Sequence, residues 1–285
     1  MNRGISWMLV AVFLFACMGA CAKAASGAAS TGQILFFRSV VGLPILVLLA
    51  RRWKAPLLGS RSPLLVTRGI IGFFSLALYF FSLVRIPYGN AAVLQATSPI
   101  FVAFLAFPIV GERVSRKIFW LLPFFITGIA LIVRPQAHRD LLPHLAAIGA
   151  GFLGSLAYLS VRKLSERDRG ITIVFYFHLI ATLASLPLAW IGWRPFNYRT
   201  AILLLGGGFF GTLAQLTMTR AYKLERASVI SLFFYGIPFL AFIFGVLFFG
   251  ERPDAVSLAG AVLIISCGLV ATQIPRFDKP AEAEM

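Results

Sequence analysis

RIPYGNAAVLQATSPIFVAFLAFPIVGER, residues 85–113, returns in altered form as LERASVISLFFYGIPFLAFIFGVLFFGER, residues 224–252, and that pairing decides the fold. Pro99 matches Pro238, and Gly111-Glu112-Arg113 matches Gly250-Glu251-Arg252, all at a single offset of 139 residues. The same offset carries Gly72 to Gly211, Gly69 to Gly208 and Leu64-Leu65 to Leu203-Leu204. Late in each copy the register slips by one, Gly128 aligning with Gly268. Each copy holds an odd number of apolar segments, so the second must lie upside down relative to the first. Inverted repeats with interruptions at matching positions are the signature of a secondary transporter.

Working outward, the whole chain is of membrane character. Of its 285 residues 59% are hydrophobic, 28 are Phe, and only 13% are charged, against about 25% in soluble domains; the mean hydropathy is +0.88. A hydrocarbon core of about 30 Å needs roughly 20 apolar residues per helix. On that basis ten spans are expected, at 5–24, 33–50, 64–85, 88–110, 117–133, 141–163, 170–191, 200–222, 226–249 and 255–274. The expected fold is thus all-α and integral to the membrane. Residues 1–135 and 143–275 form two inverted five-helix repeats around a central cavity, and 276–285 read as a polar, disordered cytoplasmic tail. The first span has the look of a signal peptide, but Phe13 aligns with Phe152 and Lys23 with Arg162, so it is read as part of the architecture.

The net charge of +16 is a topology signal rather than a nucleic-acid footprint. With the N-terminus inside, seventeen of the 26 Lys and Arg fall on the cytoplasmic side and six outside, the remaining Lys23, Arg38 and Arg68 lying within spans. That bias puts both termini in the cytoplasm, with the bacterial inner membrane as the expected location. No soluble basic domain exists to hold nucleic acid. Cys17, Cys21 and Cys267 sit in apolar segments with neither metal nor disulfide spacing, and no cofactor motif is present. The partners expected are a small-molecule substrate and the lipid bilayer, with a homodimer left open.

With their paired prolines and Gly-Glu-Arg endings, the quoted segments resemble the drug/metabolite transporter superfamily, EamA type, and the resemblance covers nearly the whole chain. It implies a basket of ten helices, a cavity lined mainly by spans 1, 3, 4, 6, 8 and 9, and spans 5 and 10 at the periphery. It also implies transport of small metabolites such as amino acids, nucleotide derivatives or organic anions. It does not give the substrate.

The residues themselves supply candidates for the work. Pro99 and Pro238 are read as mid-helix prolines that kink spans 4 and 9, either shaping the bundle statically or acting as hinges that turn carbonyls toward a cavity. Glu112 and Glu251 close those spans, either as solvated ends or as latches pairing with a basic residue of another helix in one state. No acid lies at mid-depth, so a buried carboxylate relay has no candidate. Lys23 and Arg68 lie near span ends and are read as snorkelling to the interface. Arg38, roughly 7 Å into span 2 at 1.5 Å per residue, is the candidate cavity cation, and His178 is either a packing residue or a proton or substrate group. Gln95 and Gln215 are too bulky to be satisfied easily between helices, and with Tyr79, Ser231 and Tyr235 they complete the expected substrate-binding set. Resting chiefly on Arg38, the substrate is expected to bear a carboxylate or phosphate, or to be a zwitterion. A membrane enzyme lacks the clustered His, paired acids or Ser–Lys pair it would need, and a channel lacks a filter segment. A lipid or lipid-linked-sugar flippase of the same fold is the alternative.

Overall fold

The computed structural model describes residues 3–60, 63–111, 120–133 and 140–273, and among these every regular element is helical. The first half runs α1 (Arg3–Ala25), α2 (Thr31–Val40), α3 (Gly42–Arg52), α4 (Pro63–Leu83), α5 (Tyr88–Gln95), α6 (Ser98–Val110) and α7 (Leu122–Val133). The second half runs α8 (Leu142–Leu164), α9 (Gly170–Ile191), α10 (Tyr198–Leu224), α11 (Ala227–Ile230), a 3₁₀ stretch Ser231–Tyr235, α12 (Gly236–Phe249) and α13 (Ala255–Gln273). Taken with α2–α3, α5–α6 and α11–α12 as broken spans, these elements make ten crossings. Eight are long and apolar enough to pass a bilayer, and the apolar stretches Pro123–Ile132 and Ala255–Cys267 within α7 and α13 are shorter.

The inversion is visible in which helices pack together. α1 lies along α10 and α4 along α8, the same pairing of first and third spans across the two halves. α2 faces its own counterpart α9, α5 faces α12, and α7 faces α13. This is the contact pattern of a pseudo-two-fold axis lying across the bundle.

Short polar sequences set the helix ends. Ser30 and Gln33 form a capping box at the start of α2, where Gln33 N donates to Ser30 Oγ and Ser30 N to Gln33 Oε1. Asn197 at α10 and Asp254 at α13 each accept from the amide three residues on, without the reciprocal bond. α6 and α12 both end on a left-handed glycine, Gly111 (φ 74°) and Gly250 (φ 60°), so the repeated Gly-Glu-Arg begins with a helix stop. Around the outside Leu48, Trp190, Ile191, Leu247 and Phe248 stand fully out of the core, as a lipid-facing surface requires.

Three spans are interrupted. In span 2 the ladder lapses at Val41, whose backbone stays helical (φ −61°, ψ −30°), because Pro44 in the first turn of α3 lacks an N–H and crowds the Val40 carbonyl. Pro99 and Pro238 stand near the middle of the spans Tyr88–Val110 and Ala227–Phe249, each in the first turn of a second half-helix, α6 or α12, and interrupt the ladder in the same way. The breaks lie just before them, at Ala96–Thr97 and Ser231–Tyr235.

Close backbone approach fixes some pairs. A Cβ on Gly32 would strike the Leu188 carbonyl oxygen and come within 2.8 Å of Ala189 N. Main chain cannot swing aside, so Gly32→Ala is expected to destabilise the α2–α9 contact by about 1–3 kcal/mol. A melting temperature equal to that of the unaltered protein would show that α2 is free to move away.

Candidate functional site

The breaks in the fourth and ninth crossings face a central cavity of about 50 Å³, room for a few waters. Arg38, Arg68, Tyr79, Gln95, Tyr158, Phe177, Gln215 and Phe234 line it together with smaller neighbours. The lining comes from every span except the fifth and tenth, so α2 and α9 contribute beyond the six spans the family resemblance implied.

Two guanidinium groups dominate the space. Arg38 and Arg68 are each 2% exposed, and their guanidinium carbons lie 4.8 and 4.6 Å from the centre of one ring, Phe177. The ring is their shared cation–π partner. Among the described residues neither meets a carboxylate. Two like charges at most about 9 Å apart, the limit set by those distances, repel by roughly 2 kcal/mol at an effective dielectric of about 20.

Space for each guanidinium is made by a glycine. A Cβ on Gly72, one turn beyond Arg68, would strike Arg68 Nη1, and a Cβ on Gly211 would lie 3.1 Å from Arg38 Nε. Gly72 and Gly211 are repeat equivalents, so the sequence repeat carries a vacancy that both arginines use. Both arginines belong to the first half. The repeat equivalent of Arg38 is Phe177 itself.

His178 stands behind Arg38 and does not line the cavity. Its Nε2 is 3.5 Å from Arg38 Nη1 and 3.2 Å from Thr212 Oγ1, and its Nδ1 is 2.9 Å from the Val174 carbonyl oxygen. Arg can only donate, so Nε2 accepts and the ring proton is donated from Nδ1 to Val174. His178 thereby aims Arg38. The other Arg38 nitrogens, Nε and Nη2, and Arg68 Nε and Nη1 are buried with no partner, as is Gln215 Oε1.

Of the remaining sequence candidates, Tyr79, Gln95 and Gln215 are brought to the cavity with Arg38. Ser231 and Tyr235 are buried in the 3₁₀ break, their hydroxyls without partners, but they do not line this space. Tyr158 stacks between Tyr222 (5.9 Å) and Phe234 (4.6 Å), closing one side with an aromatic wall. Sequence reasoning had left Arg68, Tyr158 and Phe177 out of the binding set. The glycine one turn after Arg68, recurring as Gly211, was the available signal.

Arg68 and Lys23, both read as snorkelling, do otherwise: Arg68 is buried at the cavity. Lys23 Nζ donates to the Leu83 and Ile86 carbonyls (2.9 and 2.7 Å) at the C-terminal end of α4 and lies 3.6 Å from Glu251. Glu251 in turn accepts from Tyr88 N, the first amide of α5, at 2.9 Å. One end of the bundle is therefore stapled across both halves. At the opposite end Arg162, the repeat equivalent of Lys23, donates to the Tyr222 carbonyl at 3.0 Å. Tyr222 is the repeat equivalent of Leu83. Glu112 lies outside the described residues.

A model of the EamA-like transporter family matches residues 2–134 and again 141–272. The chain belongs to that family. It is a multi-pass integral membrane transporter. The pseudopaline exporter CntI of Pseudomonas aeruginosa is 35% identical over 93% of this chain and 94% of its own. The riboflavin transporter of Vibrio cholerae is 30% identical over 95% and 93% respectively, and an S-adenosylmethionine uptake transporter of Rickettsia prowazekii is 24% identical over 94% and 91%. A solved crystal structure at 17% identity shares the fold, with a TM-score of 0.71 over 95% of this chain and 96% of the other.

Proposed function

We propose that the protein is a secondary transporter that carries a small metabolite, of the amino-acid, organic-anion or nucleotide-like kind, through the central cavity by alternating access. It sits in a bacterial inner membrane with both termini cytoplasmic, as the bias of basic residues favours. The observation that carries the reading is a charged and polar cavity at the meeting point of two broken spans, inside a bundle that is otherwise apolar. The relatives named above handle chemically unlike solutes, and one is an exporter while another is an uptake carrier. They support the class of small metabolites without choosing a member or a direction.

Pro99 and Pro238 fix the first turns of α6 and α12, so bending is confined to Ala96–Thr97 and Ser231–Tyr235. These two joints are the hinges. The Lys23–Glu251–Tyr88 staple is the latch at the exterior end, and Glu112, its repeat equivalent in sequence, is the latch candidate for the cytoplasmic end. The test is counterflow in proteoliposomes, following a thermal-shift screen of the purified protein against metabolites. Exchange of a labelled water-soluble metabolite against its unlabelled form is expected. Movement of labelled phospholipid alone would make the protein a flippase.

A further inference from the structure

We infer that the cavity takes an organic dianion, one carboxylate docking on the free Nε–Nη2 edge of Arg38 and a second acidic group, carboxylate or phosphate, on Arg68. The inference rests on the transporter reading and deepens it. Buried charges need partners, and here two guanidinium groups, each all but sealed from solvent, have no acid among the described residues. The cavity has room for only a few waters, which solvate a charge without neutralising it. The missing counter-charge is therefore supplied by the cargo.

The geometry narrows the cargo further. Arg38 spends Nη1 on His178 and leaves Nε and Nη2 unpartnered. Those two nitrogens form the planar edge that fits one carboxylate through two parallel bonds. Arg68 donates no hydrogen bond among the described residues, and its guanidinium shares the Phe177 ring with that of Arg38. A monoanion on the Arg38 edge would leave Arg68 as an unpaired buried charge. Two acidic groups on one solute neutralise both.

The test uses the full-length purified chain, with thermal shift and counterflow as readouts. The probes are succinate, glutarate, adipate, inorganic phosphate and butyrate. A dicarboxylate is expected to raise the melting temperature and to bind at least about tenfold more tightly than butyrate, a difference of one decade per 1.4 kcal/mol. Arg38→Gln and Arg68→Gln should each abolish that shift. Arg38→Lys should not restore it, because an ammonium cannot present a two-pronged edge. Arg68→Met supplies a reading independent of any probe. Removing an unpartnered buried charge should raise the melting temperature of the ligand-free protein, whereas a structural arginine would lower it. A phosphate shift lost in both glutamine variants would also support a two-arginine anion site. The inference is overturned if butyrate matches the dicarboxylates, if no anion shifts the protein, or if Arg68→Met melts lower. Counterflow of a neutral or cationic metabolite, with no response to dianions, would remove the dianion and leave the transporter. Failure of every solute to exchange would remove both.

Discussion

Glu251→Gln should release one end of the bundle. The substitution deletes the charge that faces Lys23 and weakens the acceptor for Tyr88 N, while the Lys23 ammonium stays bound to the Leu83 and Ile86 carbonyls. Both side chains are about one-sixth exposed, at 17% and 16%, so the loss should fall between that of a surface pair and that of a fully buried one, about 1–3 kcal/mol. The melting temperature should drop. Maleimide labelling of Cys17 and Cys21, both half-buried on α1, should speed up by roughly tenfold, as a bias of about 1.4 kcal/mol toward the open end requires. Lys23→Arg should behave almost as the unaltered protein, since Arg162 does the equivalent job at the other end. The charge swap Lys23→Glu with Glu251→Lys should fail to restore stability. A carboxylate cannot donate to two carbonyls, and an ammonium cannot accept from Tyr88 N. Full rescue by the swap would mean that only net charge matters and that the staple is no network.

The second large effect is expected at a residue with no side chain. Gly72→Ala adds one methyl group where Arg68 Nη1 and, at 2.9 Å, Phe177 Cε2 already stand. Arg68 must shift from its seat on the ring, so counterflow should fall, by up to about thirtyfold if the whole of one charge-assisted contact worth about 2 kcal/mol is lost. Helix stability should not suffer correspondingly, because Ala is favoured over Gly in a helix by about 1 kcal/mol. Gly149→Ala, whose Cβ would meet only Leu78 at 3.4 Å, is the control and should transport normally. Equal rates for the two variants would detach Gly72 from the site.

The apolar spans and the repeat made the ten-helix inverted fold legible before any coordinates, because span length and orientation are one-dimensional properties of the chain. What stayed hidden depends on the third dimension. Distance from a span end made Lys23 and Arg68 look like residues that reach for the interface. Lys23 instead finds two carbonyls at the C-terminal end of α4, and Arg68 finds a gap at Gly72 and a ring from α9. The break in the second crossing was missed because Pro44 has no equivalent in the other half, where Leu183 stands. The two prolines that do repeat are legible as interruptions of their spans, but a proline does not tell how far the break before it extends. His178 was weighed between packing and proton work. Its place behind Arg38 depends on a contact between α2 and α9 that no local pattern announces.

The unequal sharing of the cavity has one further implication. A symmetric dimer of two five-helix chains would have to repeat Arg38 and Arg68 on both sides of its axis, presenting four cations to a guest with no preferred way round. A single polypeptide carries no such obligation, and here position 177 is an aromatic ring where position 38 is an arginine. If the cargo carries two acidic groups, both would lie against residues of the first half, and the guest would have one preferred way round.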